Sequence, residues 1–194
     1  MSADRQGDTP EPTELQGDTP EPPDLQGDTP EPPEDMTFRA RALAQAHPLS
    51  AAAKRFVDHA IAVQRTSQPL PEIGIWAGAA LVNGYCLRRV EEDEAGLAPT
   101  LPADGPDFDA LDAAATAIAA DLRSGDPAPH LLGSEARIFG ALDRIIASEV
   151  ERRLDHWRDT VDDDAWAELE EYITWWVVKG YALRIAETSM MARP

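Results

Sequence analysis

Tyr85, Arg88 and Glu91 return 96 residues later as Tyr181, Arg184 and Glu187. An arginine and a glutamate three positions apart share one helix face. Two such sets brought together would give a pair of symmetry-related polar anchors for an anion or a partner. The simpler reading, and the favoured one, is an ion pair within each helix, with Tyr85 and Tyr181 packed beside it. Trp175 and Trp176 lie just upstream of the second set. Neighbouring helical residues point about 100° apart, so one tryptophan would fill the core while the other faces a pocket or partner. Tyr85, Arg88, Trp175, Trp176, Tyr181 and Arg184 are therefore the candidate pocket or interface, suited to a small apolar acid.

A second set of candidate residues lies in a different kind of sequence. The heptapeptide QGDTPEP occurs at 6–12, 16–22 and 26–32, always ten residues apart. Each copy carries at least two prolines, which favour extended polyproline II and exclude a helix. Residues 1–35 hold eleven carboxylates against Arg5 and few apolar side chains, too little to offset the entropy of ordering. This segment reads as a disordered acidic tail. Thr9, Thr19 and Thr29 each precede a proline, so Thr9-Pro10-Glu11, Thr19-Pro20-Glu21 and Thr29-Pro30-Glu31 are candidate docking elements. Phosphorylated, the threonines would suit an arginine-lined recognition domain; unmodified, the segments would lie in a groove as extended peptide. An acidic spacer with no fixed partner is the competing reading.

Other chemistry finds little support. Cys86 is the single cysteine, which excludes an internal disulfide and a cysteine zinc cluster. It sits in an apolar helical run, where cysteine behaves as a small hydrophobe. Phe56 and Arg153 stand three residues before His59 and His156, so the Glu-x-x-His pattern of a di-iron bundle is missing. Neither His-Glu-x-x-His nor a glycine-rich phosphate loop occurs. No catalytic residue, metal or cofactor is expected.

The formal net charge of −19 over 194 residues is split about evenly between the tail and the rest. Nothing resembles a phosphate-neutralising surface, so nucleic acid is not an expected partner. The most apolar run, residues 73–87, is shorter than a membrane span requires. No secretory signal is recognisable at the N-terminus, and with one cysteine a reducing, cytoplasmic setting is expected.

The elements that would position these residues read as helices throughout. Alanine and leucine abound and no alternating pattern persists. Expected helices cover 36–46, 50–65 with Ser50 as N-cap, 71–94, 107–124, 134–160 with Ser134 as N-cap, and 162–190. Phe56, Ala60, Ile61 and Val63 would face inward from the second. The 96-residue echo also matches Gly84 to Gly180 and Leu87 to Leu183. A weaker echo at offset 85 links the preceding helices. The expected fold is an all-α bundle of about five to six helices, built as two related hairpins about a pseudo-two-fold axis. Gly84 and Gly180 would let the central helices approach closely, and Ala79-Ala80 would receive the bulk of Trp175-Trp176.

The chain thus reads as a tail, 1–35, and a helical domain, 36–194. The first functional reading is a non-enzymatic adaptor or cargo-like protein, recruited by its tail to a multivalent protein partner such as a scaffold or shell. Self-association into a homo-oligomer is compatible with it. The alternatives are a small-molecule-binding bundle and an acidic inhibitor that mimics nucleic acid.

Overall fold

A computed structural model describes residues 35–46, 49–67, 71–97 and 107–191, without the side chains of Pro71 and His156. The three repeats, and with them every candidate docking residue from Thr9 to Glu31, lie outside the described residues, as do His47 and Pro48. Six α-helices follow one another: α1 (Met36–Gln45), α2 (Ala51–Ser67), α3 (Pro71–Glu94), α4 (Phe108–Ser124), α5 (Glu135–Leu154) and α6 (Asp163–Met191). Single 3-10 turns occupy Ala128–His130 and Asp155–Trp157. Among the described residues there is no strand.

Helix starts follow from side-chain caps. Asp35, Ser50, Asp107 and Asp162 accept the amides of Thr37, Ala53, Ala110 and Ala165. Each satisfies one of the orphan donors of a first helical turn. α3 ends in a Schellman motif: Gly96 adopts φ 71°, and the Gly96 and Leu97 amides return to the Asp93 and Glu92 carbonyls.

One cap bond and one stop differ from the sequence expectation. Ser134 is the N-cap residue of α5, as expected, but its side chain makes no cap bond. α5 stops at Leu154 rather than near residue 160. The eight residues after it form the turn into α6, whose cap is Asp162.

α3 and α6 pack against each other at the centre, and their buried residues run around the whole circumference, as expected of core helices. α1 and α2 flank α3, while α4 and α5 flank α6. The outer helices bury one face each: Phe56, Val57 and Ala60 on α2, Leu111, Ala115 and Leu122 on α4, Ile138, Leu142 and Ile145 on α5. Val63 is 41% exposed; it lies on the edge of the α2 stripe, beyond the reach of α3.

Candidate functional site

The crossing of α3 and α6 places the two echoed motifs face to face. A Cβ built on Gly84 would lie 1.9 Å from the Val177 carbonyl oxygen, and one on Gly180 would lie 1.9 Å from that of Leu81. Leu81 and Val177 are themselves 96 residues apart, so each contact is the image of the other. Only a hydrogen fits where the two backbones touch.

One turn further on, the polar residues exchange partners across the same axis. The Tyr85 hydroxyl donates to Glu187 at 2.7 Å, and the Tyr181 hydroxyl donates to Glu91. Arg88 donates to Glu91 at 2.6 Å and Arg184 to Glu187 at 3.0 Å, each within its own helix. The Arg88 guanidinium lies 5.6 Å from the Tyr181 ring centre, and that of Arg184 lies 5.7 Å from the Tyr85 ring centre. These contacts tie α3 to α6 through side chains from both halves.

The same carboxylates reach the outer helices. Glu91 accepts the Leu132 and Gly133 amides just before α5, at 2.6 and 2.9 Å. Glu187 accepts the hydroxyl of Ser50, which caps α2. Each half therefore anchors the entry to a helix of the other half. Glu92 breaks the symmetry, because its counterpart is Thr188. It takes Arg184 Nε at 2.9 Å and Nη2 at 2.8 Å, and lies 3.5 Å from Arg88 Nε.

All these groups are buried; Glu187 is 0% and Arg184 1% exposed. Charges this dry persist only when hydrogen bonds occupy their lone pairs and protons. Burial depresses the Arg184 guanidinium, but the Glu92 hydrogen bond, Tyr85, the Glu92 charge and Glu187 outweigh it, and its pKa rises. Burial, and then the Glu187 charge, push Tyr85 up to about 12 against the opposing charge of Arg184. Burial and Glu91 raise Tyr181 above its ordinary value as well. Burial also raises the Cys86 thiol to about 12, which keeps it un-ionised and unreactive.

A pH dependence follows. Below pH 10 both tyrosines are protonated in folded and unfolded chains alike; above it the unfolded chain alone sheds protons. Stability then falls as pH rises, by about 1.4 kcal/mol per pH unit for each of Tyr85 and Tyr181 until the folded-state pKa is reached. Tyrosine absorbance should therefore change together with unfolding in alkali. A tyrosine of this network that ionises near pH 10 in the folded protein would contradict the burial of the network.

Four of the six candidate pocket residues, Tyr85, Arg88, Tyr181 and Arg184, thus meet in one closed cluster. The other two lie elsewhere. Trp175 packs beside Arg123 of α4 and Lys179, 5.8 and 5.7 Å from its ring centre. Trp176 lies edge-on to Tyr172. Ala79 borders a cavity and Trp175 lies beside α4, which departs from the expected nesting of the tryptophans over Ala79-Ala80.

That cavity, of about 920 Å³, lies between α1, α2, α3 and α5, and none of the six candidates lines it. Leu49, Val57, Ile61, Ile75 and Val82 give it aliphatic walls. Its polar floor is Asn83, whose amide donates to the Ala79 carbonyl at 3.1 Å and to Glu149 at 3.0 Å. Glu149, 1% exposed, also holds Arg152 and Arg153. Sequence reasoning missed this site, although the size mismatch between Ala79 and its counterpart Trp175 was the signal for it.

Of the histidines, His130 bonds Asp121 at 3.1 Å and His59 stacks edge-on to Phe108. Among the described residues no group of three histidine, cysteine, aspartate or glutamate side chains is placed to hold a metal. No helix among them is long and apolar enough to cross a membrane. Comparison with protein-family models, with curated proteins and with solved structures finds no match.

Proposed function

We propose that this chain is a non-enzymatic adaptor or cargo-like protein, a helical bundle recruited to a multivalent protein partner through its repeated N-terminal segment. The observation that carries the reading is the triplicated QGDTPEP at a constant ten-residue spacing. The last copy ends at Pro32, three residues before Asp35, the cap of α1. Docking elements so close to the first helix would hold the bundle near the surface that binds them. A bundle whose central charges bond mainly to one another suits a rigid payload better than a reacting centre. A cytoplasmic setting fits the single Cys86, held buried as a thiol.

Several weak equivalent sites on one chain raise effective concentration without a strong contact. Retention should then depend steeply on copy number. Affinity capture from the native host's lysate, with the whole chain and with forms carrying one copy or none, measures this. Deleting two of the three copies should weaken retention far more than proportionally. A linear loss, or no loss, would reject the multivalent reading.

A further inference from the structure

We propose that the cavity between α1, α2, α3 and α5 is a binding site for an aliphatic carboxylate. The first argument is the comparison between the two halves of the bundle. Ala79 and Asn83, which line the cavity, correspond at the 96-residue offset to Trp175 and Lys179. In the second half the indole of Trp175 lies beside Arg123 and Lys179. Lys179 is held by Asp112 at 2.7 Å and Thr116 at 2.8 Å. The first half puts a methyl group and an amide at these positions, and α3 there faces open space.

The second argument is charge. Arg41, Lys54, Arg152 and Arg153 all line the cavity, whereas Asp58 is the single carboxylate that does. Glu149 beneath the floor bonds both Arg152 and Arg153, and one carboxylate neutralises only one guanidinium. Lys54 and Asp58 form an exposed pair at 2.8 Å, which binds the ammonium weakly. A surplus of positive charge therefore faces this cavity in a chain of net charge −19. Such a concave cationic surface concentrates anions.

The third argument is the wall. It is aliphatic, with no aromatic side chain in the lining, so the body of the ligand is an alkyl chain rather than a ring seeking a stacking partner. The volume falls in the range of sites that enclose a small organic molecule. The carboxylate would meet the Arg152–Arg153 side, where a guanidinium fork suits it. The alkyl chain would run along Val57, Ile61 and Val82, and Ile75, 52% exposed at the mouth, would gain cover.

Calorimetric titration of the full chain with decanoate, with decylamine as the charge control, tests this. Decanoate should bind saturably at one site, and decylamine at least about tenfold more weakly. Ala79→Trp, which copies the other half, should weaken decanoate by at least about tenfold. A combined Arg41→Gln and Lys54→Gln variant, which leaves the Glu149 cluster intact, should weaken it and flatten its salt dependence. Methyl spectra of isoleucine-labelled wild-type protein give a readout that needs no variant: Ile61 and Ile75 should shift on addition of decanoate, and Ile138 and Ile145 should not. Absence of saturable binding, equal affinity for decylamine, indifference to Ala79→Trp in folded protein, or shifts confined to Ile138 and Ile145 would each overturn the proposal.

Discussion

Gly84→Ala is expected to remove about 4 kcal/mol or more of folding stability, a large part of what a domain of this size possesses. Gly180→Ala should do the same. On an isolated helix either change would help, since alanine is about 1 kcal/mol better than glycine in a helix interior. Here the new methyl group would lie 1.9 Å from a carbonyl oxygen of the opposite helix. That atom belongs to the backbone and cannot move aside as a side-chain tip would. α3 and α6 must separate, which loosens the tyrosine–glutamate bonds one turn away. Gly140 of α5 supplies the contrast, because its added Cβ would meet only Arg144 Nη1, at 3.6 Å. Gly140→Ala should therefore stabilise by up to about 1 kcal/mol. Guanidinium unfolding of the three variants tests the sign as well as the size. In the combined Gly84→Ala and Gly180→Ala variant the cost should be well below additive, because the first methyl group has already opened the contact. A Gly84→Ala protein as stable as wild type would mean that the central helices do not touch there.

The contrast between these glycines also marks how far the sequence could be read. The echo of Gly84, Tyr85, Arg88 and Glu91 at Gly180, Tyr181, Arg184 and Glu187 predicted a central pair of helices, and the structure has them in contact. Helix starts were legible because caps are local: Asp35, Ser50, Asp107 and Asp162 each bond an amide two or three residues ahead. The favoured reading of Arg88–Glu91 and Arg184–Glu187 as pairs within each helix holds, but it is half of the geometry. The bonds Tyr85–Glu187, Tyr181–Glu91 and Ser50–Glu187 join residues 90 or more positions apart. No spacing rule contains them, because they depend on where α6 crosses α3. For the same reason the reach of Glu91 to the Leu132 and Gly133 amides, just ahead of the α5 N-cap, has no trace in local spacing. The cavity was hidden because its lining comes from four helices. Its one sequence trace, the pairing of Ala79 with Trp175, reads as complementary bulk until the two are seen on different sides of the bundle.

The second large effect concerns Arg184. Arg184→Met should cost about 3–5 kcal/mol, the usual penalty for breaking a buried pair by removing one partner. The wild-type cluster sets two guanidinium groups, Arg88 and Arg184, against three carboxylates, Glu91, Glu92 and Glu187. Losing Arg184 leaves one guanidinium for all three. Methionine keeps the apolar stem of the lost side chain as far as Nε, so the defect is the missing charge together with the space its guanidinium filled. Glu187 retains Ser50 and Tyr85 as donors, and Glu91 retains Tyr181, Arg88 and two backbone amides. Glu92 fares worst, because its remaining contact is Arg88 Nε at 3.5 Å. Adding Glu92→Met to Arg184→Met should therefore recover about half of the loss, since it restores the original charge balance with apolar volume. Adding Glu187→Met instead should recover less, because that change strands the Ser50 and Tyr85 hydroxyls. Urea unfolding of the single and both double variants separates these cases. If Arg184→Met alone costs less than about 1 kcal/mol, or if the Glu92 change deepens the loss, the carboxylates of the cluster are hydrated and the charges do not hold the halves together.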